Sequence, residues 1–125
     1  VKADVGIIAT GALVHKALKV AESLKKENIS VQVLNIHTIK PLDTDAVLTL
    51  AKDCGAIVTV EEHQIIGGLG GAVSEYLASI LPTPIEFIGI QGKFGQSGTP
   101  DQLLEHYGMG EKDIEFAVKK VIQRK

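Results

Sequence analysis

The stretch Thr59–Leu77, TVEEHQIIGGLGGAVSEYL, contains the change of regular structure that decides the fold. Its pattern predicts the end of a buried strand, then a Glu-Glu-His step, then a glycine-rich turn that opens an amphipathic helix. The apolar positions after the turn follow helical spacing: Leu69, Val73, Tyr76, Leu77 and Ile80. A strand joined to a helix by a short turn predicts one unit of an α/β fold.

The same alternation continues on both sides of this stretch. Short apolar runs predict buried strands at residues 5–10, 31–36, 56–60 and 85–90, and residues at helical spacing lie between them and after the last one. Strands that alternate with helices favour a parallel sheet covered on both faces, with right-handed crossovers. We therefore predict one α/β domain over residues 1–125, three-layered α/β/α, with a mainly parallel sheet of strand order 2-1-3-4.

Local signals predict where individual helices begin and end. Asp43 is the predicted N-cap of the second helix, with Leu42 and Val47 spaced as a hydrophobic staple around it. Gly55 is the predicted residue just past the end of that helix. Residues 99–102, TPDQ, form a capping box with proline at the first helical position, which predicts a further short helix before the final one.

Composition excludes several classes of protein. The net charge of -2, without a basic face, disfavours nucleic-acid binding. No apolar run approaches the roughly 20 residues that a membrane-spanning helix needs. The single cysteine, Cys54, excludes an internal disulfide and favours a reducing compartment, so we expect a cytoplasmic protein.

The Glu-Glu-His step is the first candidate for chemistry, because ligands of parallel sheets bind beyond the carboxyl ends of the strands. His63 beside Glu61 and Glu62 could be a general base. Alternatively, the two acids bond to loop amides or neighbouring domains and the histidine packs in an interface. The second interpretation is favoured, because no nucleophile is placed against His63 by the sequence. We therefore assign no catalytic residue.

The second candidate is a glycine cluster formed by Gly67, Gly68, Gly70 and Gly71. Its place between a strand and a helix suits a phosphate cradle. However, the G-x-G-x-x-G spacing fails, since its third glycine would fall on Val73. The favoured interpretation is that these glycines permit positive φ and close approach of backbones. The four histidines are scattered and the one cysteine is unpaired, so no metal site is predicted.

Several segments together resemble the C-terminal domain of transketolases, including transketolases split into two polypeptides: ATG at 9–11, TIKPLD at 38–43, EEH…GGLG at 61–70 and SGTPDQLL at 97–104. The resemblance covers nearly the whole chain. It implies an enzyme that transfers two-carbon ketol units between sugar phosphates in the pentose phosphate pathway. It also implies that thiamine diphosphate and Mg²⁺ are held outside this chain. The expected partners are the N-terminal diphosphate-binding and pyrimidine-binding domains or subunit, in a homodimeric enzyme.

For this chain the resemblance implies a scaffold and interface role, with no catalytic, cofactor-binding or metal-binding residue of its own. The candidate contact residues are Glu62, His63, Gln64, Gly67, Gly68, Gly70 and Gly71. Two features depart from the family pattern: Gln96 replaces an arginine common in transketolases, and the usual edge strand before the first parallel strand is missing. Three alternatives remain open: deoxyxylulose-phosphate synthase, a 2-oxo acid dehydrogenase β subunit, and a free-standing small-molecule-binding module using Gly11, His37, His63 and Gln91.

Overall fold

A computed structural model describes residues 3–37, 41–64, 68–90 and 110–125. Strands and helices alternate along these residues, and we number them in chain order: β1 (Val5–Ala9), α1 (Leu13–Lys25), β2 (Val31–Asn35), α2 (Thr44–Cys54), β3 (Ile57–Gln64), α3 (Leu69–Ile80), β4 (Ile85–Ile90) and α4 (Glu111–Gln123). The predicted capping box at 99–102 lies outside the described residues. None of the described helices is long and apolar enough to cross a lipid bilayer.

The four strands form one parallel sheet in the order β2-β1-β3-β4, which confirms the predicted topology. β1 lies at the centre, where Ile7 pairs with Val33 on one side and with Val58 on the other. All five residues of β1 are buried, as expected for a strand covered by helices on both faces. β2 and β4 form the two edges of the sheet.

Side chains that alternate along β1 point into two separate cores. Ile7 belongs to the core beneath α1 and α4, and its neighbour Ile8 belongs to the core beneath α2 and α3. Each helix therefore buries one apolar stripe against the sheet. The predicted α/β/α arrangement follows from this alternation, because a strand with two apolar faces needs a helical layer on each.

The ends of α2 match the local signals in the sequence. Asp43 Oδ1 accepts a hydrogen bond of 3.1 Å from the backbone N–H of Ala46. Leu42 and Val47 belong to the same apolar core, as a hydrophobic staple requires. Gly55 has a φ of 72° and donates its N–H to the carbonyl of Ala51. Both predicted helix ends are thus confirmed.

We expect Asp43→Ala to lower the free energy of unfolding by about 1 kcal/mol, because the N–H of Ala46 loses its acceptor. Urea unfolding followed by circular dichroism measures this loss. Asp43→Asn is the matched control, since asparagine caps helices about as well as aspartate and should preserve most of the stability. Equal losses in the two variants would show that the cap at residue 43 contributes little.

The sequence prediction was wrong about where β3 ends. The predicted strand stopped at Val60, but the observed strand continues to Gln64. The Glu-Glu-His step therefore lies inside the strand, not after it. Pairing with β4 shifts in this part, because Val60 pairs with Ile88 and Gln64 pairs with Ile90. β3 thus contains two more residues than β4 over this interval, which is a β-bulge or similar irregularity.

Candidate functional site

The candidate site lies at the end of β3, where this strand extends past β1, its neighbour in the centre of the sheet. The pairing of β1 with β3 ends at Ala9 and Val60, so the residues from Glu61 to Gln64 continue beyond the end of β1. Four residues separate the end of β3 at Gln64 from the start of α3 at Leu69. The end of β3 and the start of α3 therefore meet at the carboxyl edge of the sheet, where parallel sheets place their functional groups.

Glu61 joins these two elements directly. Its side chain is fully buried. Oε1 accepts a hydrogen bond of 2.7 Å from the backbone N–H of Leu69, and Oε2 accepts one of 2.6 Å from the N–H of Gly70. We call this arrangement the Glu61 clamp. The N-cap residue of α3, Gly68, has no side chain and the first turn of α3 contains no acid, so Glu61 supplies the cap.

The clamp decides between the two interpretations of the glycine cluster. A phosphate at a helix N-terminus is held by free backbone N–H groups. In this chain the N–H groups of Leu69 and Gly70 already donate to a carboxylate, which also repels a second anion. The geometry therefore disfavours a phosphate cradle at α3. The sequence interpretation placed the bonds of the two acids at loop amides or neighbouring domains, whereas Glu61 binds the first two amides of α3.

Gly70 is needed because three side chains approach its backbone. A Cβ atom at this position would lie 2.7 Å from Phe87 Cδ1, 3.0 Å from Thr59 Oγ1 and 3.1 Å from Glu61 Oε2. The close approach at Gly70 is made by side chains, whereas the prediction was close approach between backbones. The prediction of positive φ was wrong for the described glycines of the cluster: Gly68 has a φ of -101°, and among described glycines only Gly11 and Gly55 have positive values.

The seven candidate contact residues are placed in different environments. The side chain of Glu62 is exposed, Gly68 and Gly70 are buried within the chain, and Gly71 is half-buried. His63 and Gln64 lie in β3, but their side chains and Gly67 fall outside the described part of the chain. The contact role of all seven residues stays a prediction.

Two residues of the binding-module alternative, Gly11 and His37, are exposed, and Gln91 lies outside the described residues. Two cavities lined by described residues flank β2, about 540 and 410 Å³ in volume, and neither is lined by Gly11 or His37.

Two residues of the site were missing from the sequence-based candidates. Glu61 belongs to the Glu-Glu-His step but is not among the predicted contact residues. Thr59 is not a predicted candidate either. It is fully buried, and its Oγ1 has no hydrogen-bond partner among the described residues. The sequence signal that could have indicated Glu61 is an acid directly after an apolar run and eight residues before a helix whose N-cap is glycine.

The described residues do not fit a site for a metal ion with a diphosphate. In residues 3–37, 41–64, 68–90 and 110–125, no group of three His, Cys, Asp or Glu side chains could hold a metal ion. At the N-terminus of α3, the N–H groups of Leu69 and Gly70 are bound to Glu61. Cys54 is buried, and desolvation raises the pKa of its thiol above the usual range, so a reactive thiolate is disfavoured there.

Comparison with known proteins identifies relatives over nearly the whole chain. The family model described as transketolase, C-terminal domain, matches residues 2–114. A 6-deoxy-6-sulfo-D-fructose transketolase subunit, SqwH, from Clostridium sp. (strain MSTE9) is 44% identical over 122 residues, which are 98% of this chain and 38% of the relative. A putative transketolase C-terminal section from Methanocaldococcus jannaschii is 46% identical over 112 residues, 89% of this chain and 34% of the relative.

A solved structure confirms the fold. A chain described as split gene transketolase, inactive beta4 tetramer, superimposes with a TM-score of 0.93 at 41% sequence identity. The match covers 98% of the present chain and 40% of the solved one. The chain thus spans about two fifths of the length of such relatives, and the remainder of each relative lies outside the matched region.

Proposed function

The chain belongs to the transketolase C-terminal domain family, and on this basis we propose that it is the scaffold domain of a transketolase-type enzyme. The complete enzyme would transfer two-carbon ketol units between sugar phosphates, in the pentose phosphate pathway or a related one. The observation that carries the proposal is the match of nearly the whole chain to transketolase subunits two to three times its length. The activity is therefore expected to need residues outside this chain.

The second part of the proposal concerns the coenzyme. Thiamine diphosphate, with Mg²⁺, would supply the carbanion chemistry of ketol transfer when bound by the other domains. The Glu61 clamp supports this division of roles, because it occupies amides that an anion would otherwise use. In this proposal no catalytic residue belongs to the described part of the chain.

The third part concerns partners. The proposed partners are the N-terminal diphosphate-binding and pyrimidine-binding domains, fused or as a separate subunit, in an enzyme that is a homodimer in the cytoplasm. Relatives described as a subunit and as a split gene product support a separate partner chain. Glu62, which is exposed beside the clamp, is the described residue best placed for contact through its side chain.

The isolated chain of residues 1–125 is expected to fold and to show no ketol transfer. The reason is that the coenzyme and its activating groups lie elsewhere. The measurement is ketol transfer from a ketose phosphate to an aldose phosphate, with thiamine diphosphate and Mg²⁺ added. The complete enzyme containing the same sequence is the positive control.

Two results would contradict the proposal. One is ketol transfer by the pure, isolated chain. The other is a complete protein that contains this chain, binds thiamine diphosphate and transfers no ketol unit to any aldose phosphate. Thermal unfolding of the isolated chain with nucleotides and sugar phosphates tests the binding-module alternative, which requires saturable stabilisation by one of them.

A further inference from the structure

Glu61 is a buried carboxylate to which the proposed function gives no role of its own. Among the described residues the fully buried polar side chains are Thr59 and Glu61. Removing a carboxylate from water is costly unless charge-assisted hydrogen bonds offset the loss. The two short bonds to the N-terminus of α3 provide that compensation. The arrangement nevertheless needs an explanation, because a helix can be capped at a lower cost.

The lower-cost alternative is a cap within the helix itself. Serine or asparagine at the N-cap position would accept the same kind of hydrogen bond without burying a charge. This chain has Gly68 there, and its acceptor comes from a residue in the preceding strand. A local cap stabilises only the helix. The Glu61 clamp also ties the irregular end of β3 to the start of α3.

The end of β3 after Val60 lacks the regular pairing with neighbouring strands that the rest of β3 has. It extends beyond β1, and its pairing with β4 shifts between Val60 and Gln64. Regular strand pairing therefore does not fix Glu61 and Glu62 as it fixes Val58 or Val60. The carboxylate of Glu61, held at both oxygens, is a strong restraint on this interval, and the exposed Glu62 follows it directly.

We propose that Glu61 is a positioning residue, which fixes the exposed Glu62 for contact with the catalytic domains of the complete enzyme. Glu61 acts through Glu62 and touches neither substrate nor coenzyme. This inference rests on the proposed function, because it needs a partner surface that Glu62 meets. The two can be tested separately, since the position of Glu62 is measurable without any partner activity.

The first test is amide hydrogen exchange in the complete protein. Glu61→Gln keeps one acceptor oxygen and the shape of the side chain but loses the charge. We expect exchange at Glu62 to become about tenfold faster, as well as at Leu69 and Gly70. Val73→Ala is the matched control, because it destabilises α3 through a buried apolar contact while leaving the clamp intact. In Val73→Ala, the exchange rate at Glu62 relative to the rates elsewhere in β3 should be unchanged.

The second test is a double-mutant cycle on ketol transfer by the complete enzyme, with kcat/KM corrected for the folded fraction. Glu61→Gln and Glu62→Ala are each expected to lower kcat/KM by about fivefold, and the double variant by no more than either alone. Independent roles would instead multiply to about 25-fold. Glu61→Asp, which keeps the charge, should retain more activity than Glu61→Gln.

The outcomes separate the inference from the proposed function. Unchanged exchange at Glu62 in Glu61→Gln, or multiplying effects in the cycle, would overturn the positioning role and leave the scaffold role standing. A third outcome is faster exchange at Glu62 in Glu61→Gln together with unaltered activity in Glu62→Ala. It would show that Glu61 fixes Glu62 but that no catalytic domain uses Glu62, and this also overturns the inference. Absence of ketol transfer by the unaltered complete protein would contradict the proposed function instead.

Discussion

Glu61→Met is expected to lower the free energy of unfolding by about 3 kcal/mol, because it leaves two buried N–H groups without acceptors. Methionine has nearly the length and volume of glutamate, so the loss of packing is small. The N–H groups of Leu69 and Gly70 would lose bonds of 2.7 and 2.6 Å. An unpaired buried donor costs about 1–3 kcal/mol. Urea unfolding of the isolated chain, with a constant slope against urea, measures the difference.

Thr59→Val is a control in the same part of the core, in which a buried polar group is removed without the loss of a hydrogen bond. Thr59 Oγ1 is buried and has no hydrogen-bond partner among the described residues. Removing a buried hydroxyl that makes no hydrogen bond should leave stability unchanged or raise it by about 1 kcal/mol. If Glu61→Met proved as stable as the unaltered chain, the amides of α3 would have found other acceptors. A loss in Thr59→Val comparable to that in Glu61→Met would indicate general sensitivity of this core to substitution.

The alternation of strands and helices was predictable because burial fixes it locally. β1 is apolar at nearly every position since both of its faces are covered, and a run of that kind can be recognised without any knowledge of its partners. The strand order followed from the alternation and from the hand of the crossovers. The ends of α2 were predictable for the same reason, since Asp43 and Gly55 act on residues within one turn of themselves.

The extent of β3 was not predictable in this way. The apolar run ends at Val60, and the next residue is a glutamate, a type that is almost never fully buried unless it is paired. The pairing that buries Glu61 lies eight residues away, in a helix whose position depends on the whole sheet. Sequence reasoning also could not predict the contacts of Arg124. It contacts Glu86, 38 residues earlier in the chain, and donates a hydrogen bond to the carbonyl of Ile85.

The glycine cluster shows what can and what cannot be predicted from sequence about contacts between distant residues. Sequence reasoning predicted that backbones approach each other closely at these glycines, whereas the structure places three side chains against the backbone of Gly70. It could not say that Gly70 is the position concerned or that Phe87 is one of its neighbours, since residue 87 lies in another strand. Contacts of this kind depend on register between elements, which composition and periodicity do not contain.

Gly6→Ala is the second substitution with a large expected effect, because Leu50 of α2 packs against the backbone of β1 at this glycine. A Cβ atom at Gly6 would lie 2.6 Å from Leu50 Cγ and within 2.8 Å of both its methyl carbons, and Leu50 is buried. The branch point of leucine cannot move aside as a side-chain tip can, so α2 must shift. We expect a loss of about 2–3 kcal/mol in the free energy of unfolding.

Two further variants separate steric overlap from other causes of that loss. In a Leu50→Ala background the space at residue 6 is vacant, so adding Gly6→Ala should cost at least about 1 kcal/mol less than it does alone. Gly11→Ala isolates backbone strain, because Gly11 has a φ of 56° with nothing within 4 Å of its Cβ position. It should cost about 1–2 kcal/mol in either background. Strictly additive losses for Gly6→Ala and Leu50→Ala would mean that α2 does not rest on the bare backbone of β1.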